Sequence, residues 1–189
     1  VSIPVSSTKE YFRILTDTLI ARELGAYNKT LKRKSIQTSK FYFFDIGVVH
    51  ALLKIKELSE NSKDFGSAFE TYLFHELQAY TDYKRLDELC YWRSVHDHEV
   101  DFILDNQYAI EVKSTTKINS DDLKGLKALK EENQIGKKGI KKFFLISRDN
   151  KEQMIDGIYC LPWDQFLKNL WSETIANNVV KGESQDDFH

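Results

Sequence analysis

The stretch that most constrains how this chain can fold runs from Glu99 to Lys113: Glu-Val-Asp-Phe-Ile-Leu-Asp-Asn-Gln-Tyr-Ala-Ile-Glu-Val-Lys. Two strand-like runs, Val100–Leu104 and Tyr108–Lys113, flank Asp105-Asn106-Gln107, a polar trio suited to a tight reversal. A hairpin bent at Asn106 sets Leu104 against Tyr108, Phe102 against Ile110 and Asp101 against Glu111. Alternation then puts Glu99, Asp101, Glu111 and Lys113 on one face, and Val100, Phe102, Leu104, Ile110 and Val112 on the other. Like charges opposed at a Cβ separation of about 4.5–5.5 Å destabilise a sheet. The Asp101–Glu111 pair therefore calls for a cation, and Lys113 and a bound divalent metal are the two candidates. Mg²⁺ takes a few carboxylate oxygens plus waters, which such a cluster can supply. A lysine beside the metal can orient an attacking water and stabilise charge developing on a phosphate. The alternative is a solvated hairpin face on which Glu99 pairs across to Lys113.

A length of 189 residues suits one domain, or one domain with a small appendage, and allows a core without disulfide or metal staples. The net charge of −2 argues against coating nucleic acid by bulk electrostatics, so any such contact must use a local patch. Cys90 and Cys160 form no zinc-type spacing and no disulfide framework. No apolar run approaches the roughly 20 residues of a membrane span, and Val1–Pro4 is no signal peptide. A cytoplasmic protein with no membrane partner is the expectation. The start on Val rather than Met suggests a fragment of a longer chain.

Ser7 and Glu10 have the spacing of a capping box, and Tyr11, Phe12, Leu15, Leu19 and Ile20 follow a helical period ending near Gly25. The basic run Lys29, Lys32, Arg33, Lys34 and Lys40 reads as a solvated loop or as a phosphate contact. Phe41–Phe44 suggests a short strand, and Val48–Lys54 a helix with Val49, Leu52 and Leu53 inward. Phe65, Phe69, Tyr72, Leu73, Leu77 and Tyr80 predict a strong helix, with Glu70 off its main apolar stripe. Leu89–Arg93 predicts a strand; His96 and His98, in the turn that follows, read as metal ligands or, as is commoner for isolated turn histidines, as solvated side chains. Ser120 is the expected N-cap of a helix burying Leu123, Leu126, Ala128 and Leu129. Lys142–Ser147 predicts a strand covered on both sides, Gly157–Cys160 a last strand, and Pro162 the start of a helix with Phe166, Leu167, Leu170 and Trp171 inward. A crossover helix between the hairpin and Lys142 implies a parallel pair in a mixed sheet. From Ser172 onward a loose polar tail is expected.

The order of helix, strands bearing Asp101 and then Glu111-Val112-Lys113, crossover helix and buried strand resembles the PD-(D/E)xK nuclease-like superfamily. Val100 stands where the short form of that motif has proline. Phe41–Gly47, Phe65–Leu77, Tyr91-Trp92-Arg93, Glu99–Leu104, Ile110–Ser114 and Leu123–Leu129 together resemble, more particularly, the C-terminal domain of uncharacterised bacterial and archaeal AAA+-type ATPases. The resemblance implies an α/β fold, a restriction-endonuclease-like mixed sheet flanked by helices. It divides the chain into a winged-helix-like remnant over 1–40, a nuclease-like domain over 41–172 and a flexible tail over 173–189. It implies Asp101, Glu111 and Lys113 as catalytic residues, and Glu70, Asp101 and Glu111 as ligands of Mg²⁺ or Mn²⁺. The implied reaction is phosphodiester hydrolysis on DNA; the alternatives are a non-cleaving DNA-binding module and an ATPase-scaffolding or dimerising domain. The AAA+ ATPase module would lie elsewhere on the full-length polypeptide, since no G-x-x-x-x-G-K-[ST] occurs here, and a homo-oligomer is a further expectation.

Overall fold

The computed structural model describes residues 4–29, 37–133 and 139–175. Helix α1 (Val5–Asp17) is followed by strands β1 (Ala21–Leu24) and β2 (Lys40–Phe43), which pair antiparallel as a two-stranded sheet. The expected first helix is thus shorter than its apolar period: its N-cap is Pro4, and Ala21–Leu24 is strand, with Ala21 and Leu24 buried. Helix α2 (Ile46–Leu52) starts on Asp45, whose carboxylate accepts from the Gly47 and Val48 N–H groups. It buries none of its residues, and Leu52 and Leu53, expected inward, are exposed.

Helix α3 (Lys63–Lys84) is the long helix, capped by the Ser62 hydroxyl and closed by Arg85 at φ 54°. Its buried stripe holds Leu73, Phe74, Leu77, Tyr80 and Thr81, so Tyr72 is pushed outward and Glu70 sits one turn before Phe74 on the buried side. Glu70 itself is half-buried and outside the fully buried stripe, and it faces β2, where Tyr42 and Lys40 reach it.

A six-stranded mixed sheet follows, in the order β3-β4-β5-β6-β8-β7. Its strands are β3 (Leu89–Arg93), β4 (Glu99–Leu104), β5 (Tyr108–Lys113), β6 (Lys142–Ser147), β7 (Gln153–Ile155) and β8 (Ile158–Pro162). The β4–β5 hairpin has the register expected from sequence, Phe102 opposite Ile110 and Leu104 opposite Tyr108. Asp105 and Asn106 both take positive φ at its turn, a conformation that Asp and Asn tolerate better than most residues. Strands β5, β6 and β8 run parallel, as the crossover implied. The crossover itself is a 3-10 turn, Ser120–Leu123, leading into α4 (Lys124–Asn133). Its cap is Asn119, not Ser120, in a reciprocal box with Asp122. The short edge strand β7 had no separate signal in the sequence.

Both faces of the sheet are covered. On one, α3 and helix α5 (Trp163–Trp171) meet Phe102, Leu104, Ile110, Val112, Phe144 and Ile146; on the other, Leu123, Leu126 and Leu129 meet Ile103, Ala109, Phe143 and Leu145. Trp171, expected inward, is 41% exposed and lies edge-on to Tyr80, its indole N–H donating to Glu76. Ile175, assigned to the loose tail, is only 3% exposed and belongs to the core. The remainder of that tail falls outside the described residues. Among those described, no helix is long and apolar enough to cross a membrane.

Candidate active site

The site forms where a bulge in β4 breaks the simple alternation. Between the pairs Cys90–Ile103 and Trp92–Val100, β3 advances two residues while β4 advances three, so Asp101 and Phe102 share one position opposite Tyr91. Val100 consequently packs in the α4-side core while Phe102 and Leu104 pack on the α3 side. The expected five-residue apolar face is therefore divided, and the bulge re-aims Asp101. The β4–β5 register runs as far as Phe102 opposite Ile110 and does not extend to Asp101 and Glu111. Instead Asp101 Oδ2 accepts the Val112 N–H at 2.9 Å. Helix α4 presses close on the same strand: a Cβ on Gly125 would lie 1.8 Å from the Glu99 carbonyl oxygen.

Asp101 and Glu111 are buried, at 7% and 6% exposure. Lys113 Nζ donates to Glu111 Oε1, while Glu111 Oε2 is buried without a hydrogen-bond partner among the described residues. Glu70 accepts the Tyr42 hydroxyl at 2.5 Å.

The cation at the middle of the acids is Lys40, from the basic run whose sequence reads as a solvated loop or a phosphate contact. Lys40 Nζ pairs with Glu99, and lies 3.4 Å from Glu70 and 3.6 Å from Asp101. Its ammonium also sits 5.2 Å from the centre of the Tyr91 ring. Lys40 and Tyr42 alternate onto one side of β2, and both reach Glu70. That alternation is the available signal; the contacts themselves span 28 to 61 residues of sequence, which no local pattern encodes. Lys32, Arg33 and Lys34 of the same basic run lie outside the described residues. Lys29 lies apart from the acids of the site and donates to Asn106 at 2.8 Å.

Burial dominates the electrostatics. It raises the Asp101 carboxyl to about 6, with Glu70 adding to the rise and Lys40, Lys113 and the Val112 N–H opposing it. Burial, reinforced by Asp101, lifts Glu111 well above the carboxylate range despite Lys113. Burial pulls against charge on Lys113, but Glu111 and Asp101 outweigh it and hold the ammonium above its ordinary value. Lys40 behaves likewise, its burial overcome by Asp101, Glu70 and Glu99. Burial, then Glu70, drives the Tyr42 phenol upward, so it remains a donor.

Asp101, Glu111 and Lys113 therefore converge, and Glu70 joins them through Lys40. Among the described residues no three His, Cys, Asp or Glu side chains are grouped so as to hold a metal ion. Two carboxylates with an unpartnered buried oxygen still suit a hard cation that completes its shell with water. A cleft of about 310 Å³, lined in part by Lys40, Tyr42, Phe43, Ile46, Ser67 and Glu70, lies beside the cluster.

Residues 65–166 match the family described as a domain of unknown function, DUF4143. The chain belongs to the DUF4143 family. Residues 1–59 match a second domain of unknown function, DUF8612. Within the DUF4143 segment fall Glu70, Asp101, Glu111 and Lys113, whereas Lys40 comes from the DUF8612 segment. Uncharacterized proteins of Mycobacterium bovis and Mycobacterium tuberculosis are each 29% identical over 123 residues, 61% of this chain and 27% of theirs. The chain thus spans about a quarter of the length of the curated relatives it matches. No solved structure matches.

Proposed function

We propose that this DUF4143 domain is a metal-dependent phosphodiester hydrolase of the PD-(D/E)xK type acting on DNA. The observation that carries the reading is the meeting of Asp101, Glu111 and Lys113 where β4 and β5 stop pairing, with Glu111 Oε2 buried and unpartnered. Asp101 and Glu111 would hold Mg²⁺ or Mn²⁺, which supplies an acidified water and a Lewis acid for the phosphate oxygen. Glu70 would serve as an additional acid on the helix side. Lys113, beside Glu111, would orient the attacking water and offset charge on the phosphate. The greater length of the mycobacterial relatives leaves room for a further module, in keeping with an AAA+ ATPase on the same polypeptide.

A second reading, a non-cleaving DNA-binding or scaffolding domain, is favoured by one observation: Lys40 already neutralises part of the cluster. A cleavage assay on single-stranded, duplex and branched DNA with Mn²⁺ separates the two. Hydrolysis that is lost in both Asp101→Asn and Lys113→Ala, with circular dichroism unchanged, supports the nuclease. DNA binding that falls with salt but survives Lys113→Ala, without hydrolysis, supports the binding module.

A further inference from the structure

Strand β2 carries two different jobs on its two sides. Phe41 stacks on Phe12 of α1 at 4.2 Å, while Lys40 and Tyr42 reach across to Glu70 on α3. Tyr42 is itself anchored by stacking on Phe74 at 4.1 Å. The seating of the β1–β2 sheet on α3 therefore decides whether an ammonium stands among Glu70, Glu99 and Asp101.

We propose that Lys40 acts as a built-in counter-cation that competes with a divalent metal for the acid cluster, so that metal occupancy and the seating of the β1–β2 sheet oppose each other. Lys40 is a positioning residue here. The inference rests on reading Asp101 and Glu111 as metal ligands, because Lys40 lies 3.6 Å from Asp101. A divalent ion near Asp101 repels the ammonium and takes up its carboxylate, and Glu99 and Glu70 hold the ammonium in place against it. Thermodynamic reciprocity then requires that whatever pulls β2 away from α3 tightens metal binding, and that metal loosens β2. The cation comes from the segment matching one family and the acids from the segment matching another, so the contact couples the two.

The test is Mn²⁺ titration calorimetry on the whole chain, comparing wild type with Lys40→Gln and Lys40→Arg, alongside amide hydrogen exchange of wild type with and without Mn²⁺. The expected result is at least tenfold tighter Mn²⁺ binding by Lys40→Gln, little change in Lys40→Arg, and faster exchange across 40–43 when Mn²⁺ is added. Equal or weaker binding by Lys40→Gln overturns the competition while leaving the metal site standing. Should Lys40→Gln fail to fold, the wild-type exchange decides: unchanged or slower exchange at 40–43 overturns the proposal. Absence of Mn²⁺ binding in every form overturns this inference and the metal-site reading together. Tighter binding in Lys40→Gln without DNA cleavage by any form supports the competition and defeats only the nuclease.

Discussion

Asp101 Oδ2 accepts the backbone N–H of Val112 at 2.9 Å, a side chain taking the place of a ladder partner just where the β4–β5 register ends. The bond satisfies a buried backbone donor, and it holds one carboxylate within electrostatic reach of both Glu70 and Glu111. A site of this kind is held at a cost in stability, because burial of the two acids is only partly offset by Lys40 and Lys113. Four measurements follow from that arrangement and from the packing around it.

Asp101→Asn should stabilise the protein near neutral pH. The Asp101 pKa rises on folding from 3.8 to about 6, so its favourable contribution is complete below about 4 and is lost as pH rises through 6. The asparagine carbonyl oxygen can keep the Val112 hydrogen bond without the buried charge. We expect a gain on the order of 1–3 kcal/mol at pH 7, shrinking to little at pH 4. Thermal unfolding of both forms across pH 4 to 8 checks it, and a variant uniformly less stable than wild type would count against a raised Asp101.

Gly125→Ala should be costly for a different reason. The added Cβ would meet the Glu99 carbonyl oxygen at 1.8 Å, a clash with backbone that only a shift of α4 or β4 can relieve. Overpacking of this sort costs about 1–3 kcal/mol, and here it also displaces the strand that carries Glu99 and Asp101. Urea unfolding reads the loss.

Tyr42→Phe isolates one hydrogen bond. The phenol donates to Glu70 Oε1 at 2.5 Å, and its ring stacks on Phe74 at 4.1 Å. Phenylalanine keeps the stack and removes the donor to a charged acceptor, so the expected cost is about 1–3 kcal/mol. A double-mutant cycle with Glu70→Gln should show coupling between the two positions.

Ile175→Ala tests where the folded body ends. Ile175 is 3% exposed in the α3-side core, and its carbonyl accepts from Lys142 Nζ at 3.3 Å. Truncation to alanine should cost about 2–4 kcal/mol by calorimetry. A chain ending before Thr174 should be destabilised similarly, whereas a free tail would tolerate both changes.

What the sequence determined by itself is what neighbours along the chain can dictate. Asp105 and Asn106 accept positive φ, so the turn and with it the pairing of Phe102 with Ile110 could be read directly. The helical period placed α3 and α4, and the apolar run Lys142–Ser147 marked a strand buried on both faces. What only the tertiary structure decided lies where distant segments meet. The extra residue in β4 has no signature in local composition, yet it moves Val100 to one core and Asp101 toward α3. Leu52 follows an apolar period but meets no core, and Trp171 reaches only the margin of one at Tyr80, since amphipathicity specifies a face and not how far anything covers it. Lys40 looked like one lysine among several in a basic run, and its identity as the counter-cation of Glu70, Glu99 and Asp101 depends on how β2 docks against α3. Charge acts through space at a few ångströms, and sequence spacing records that distance only within a single helix turn or strand pair.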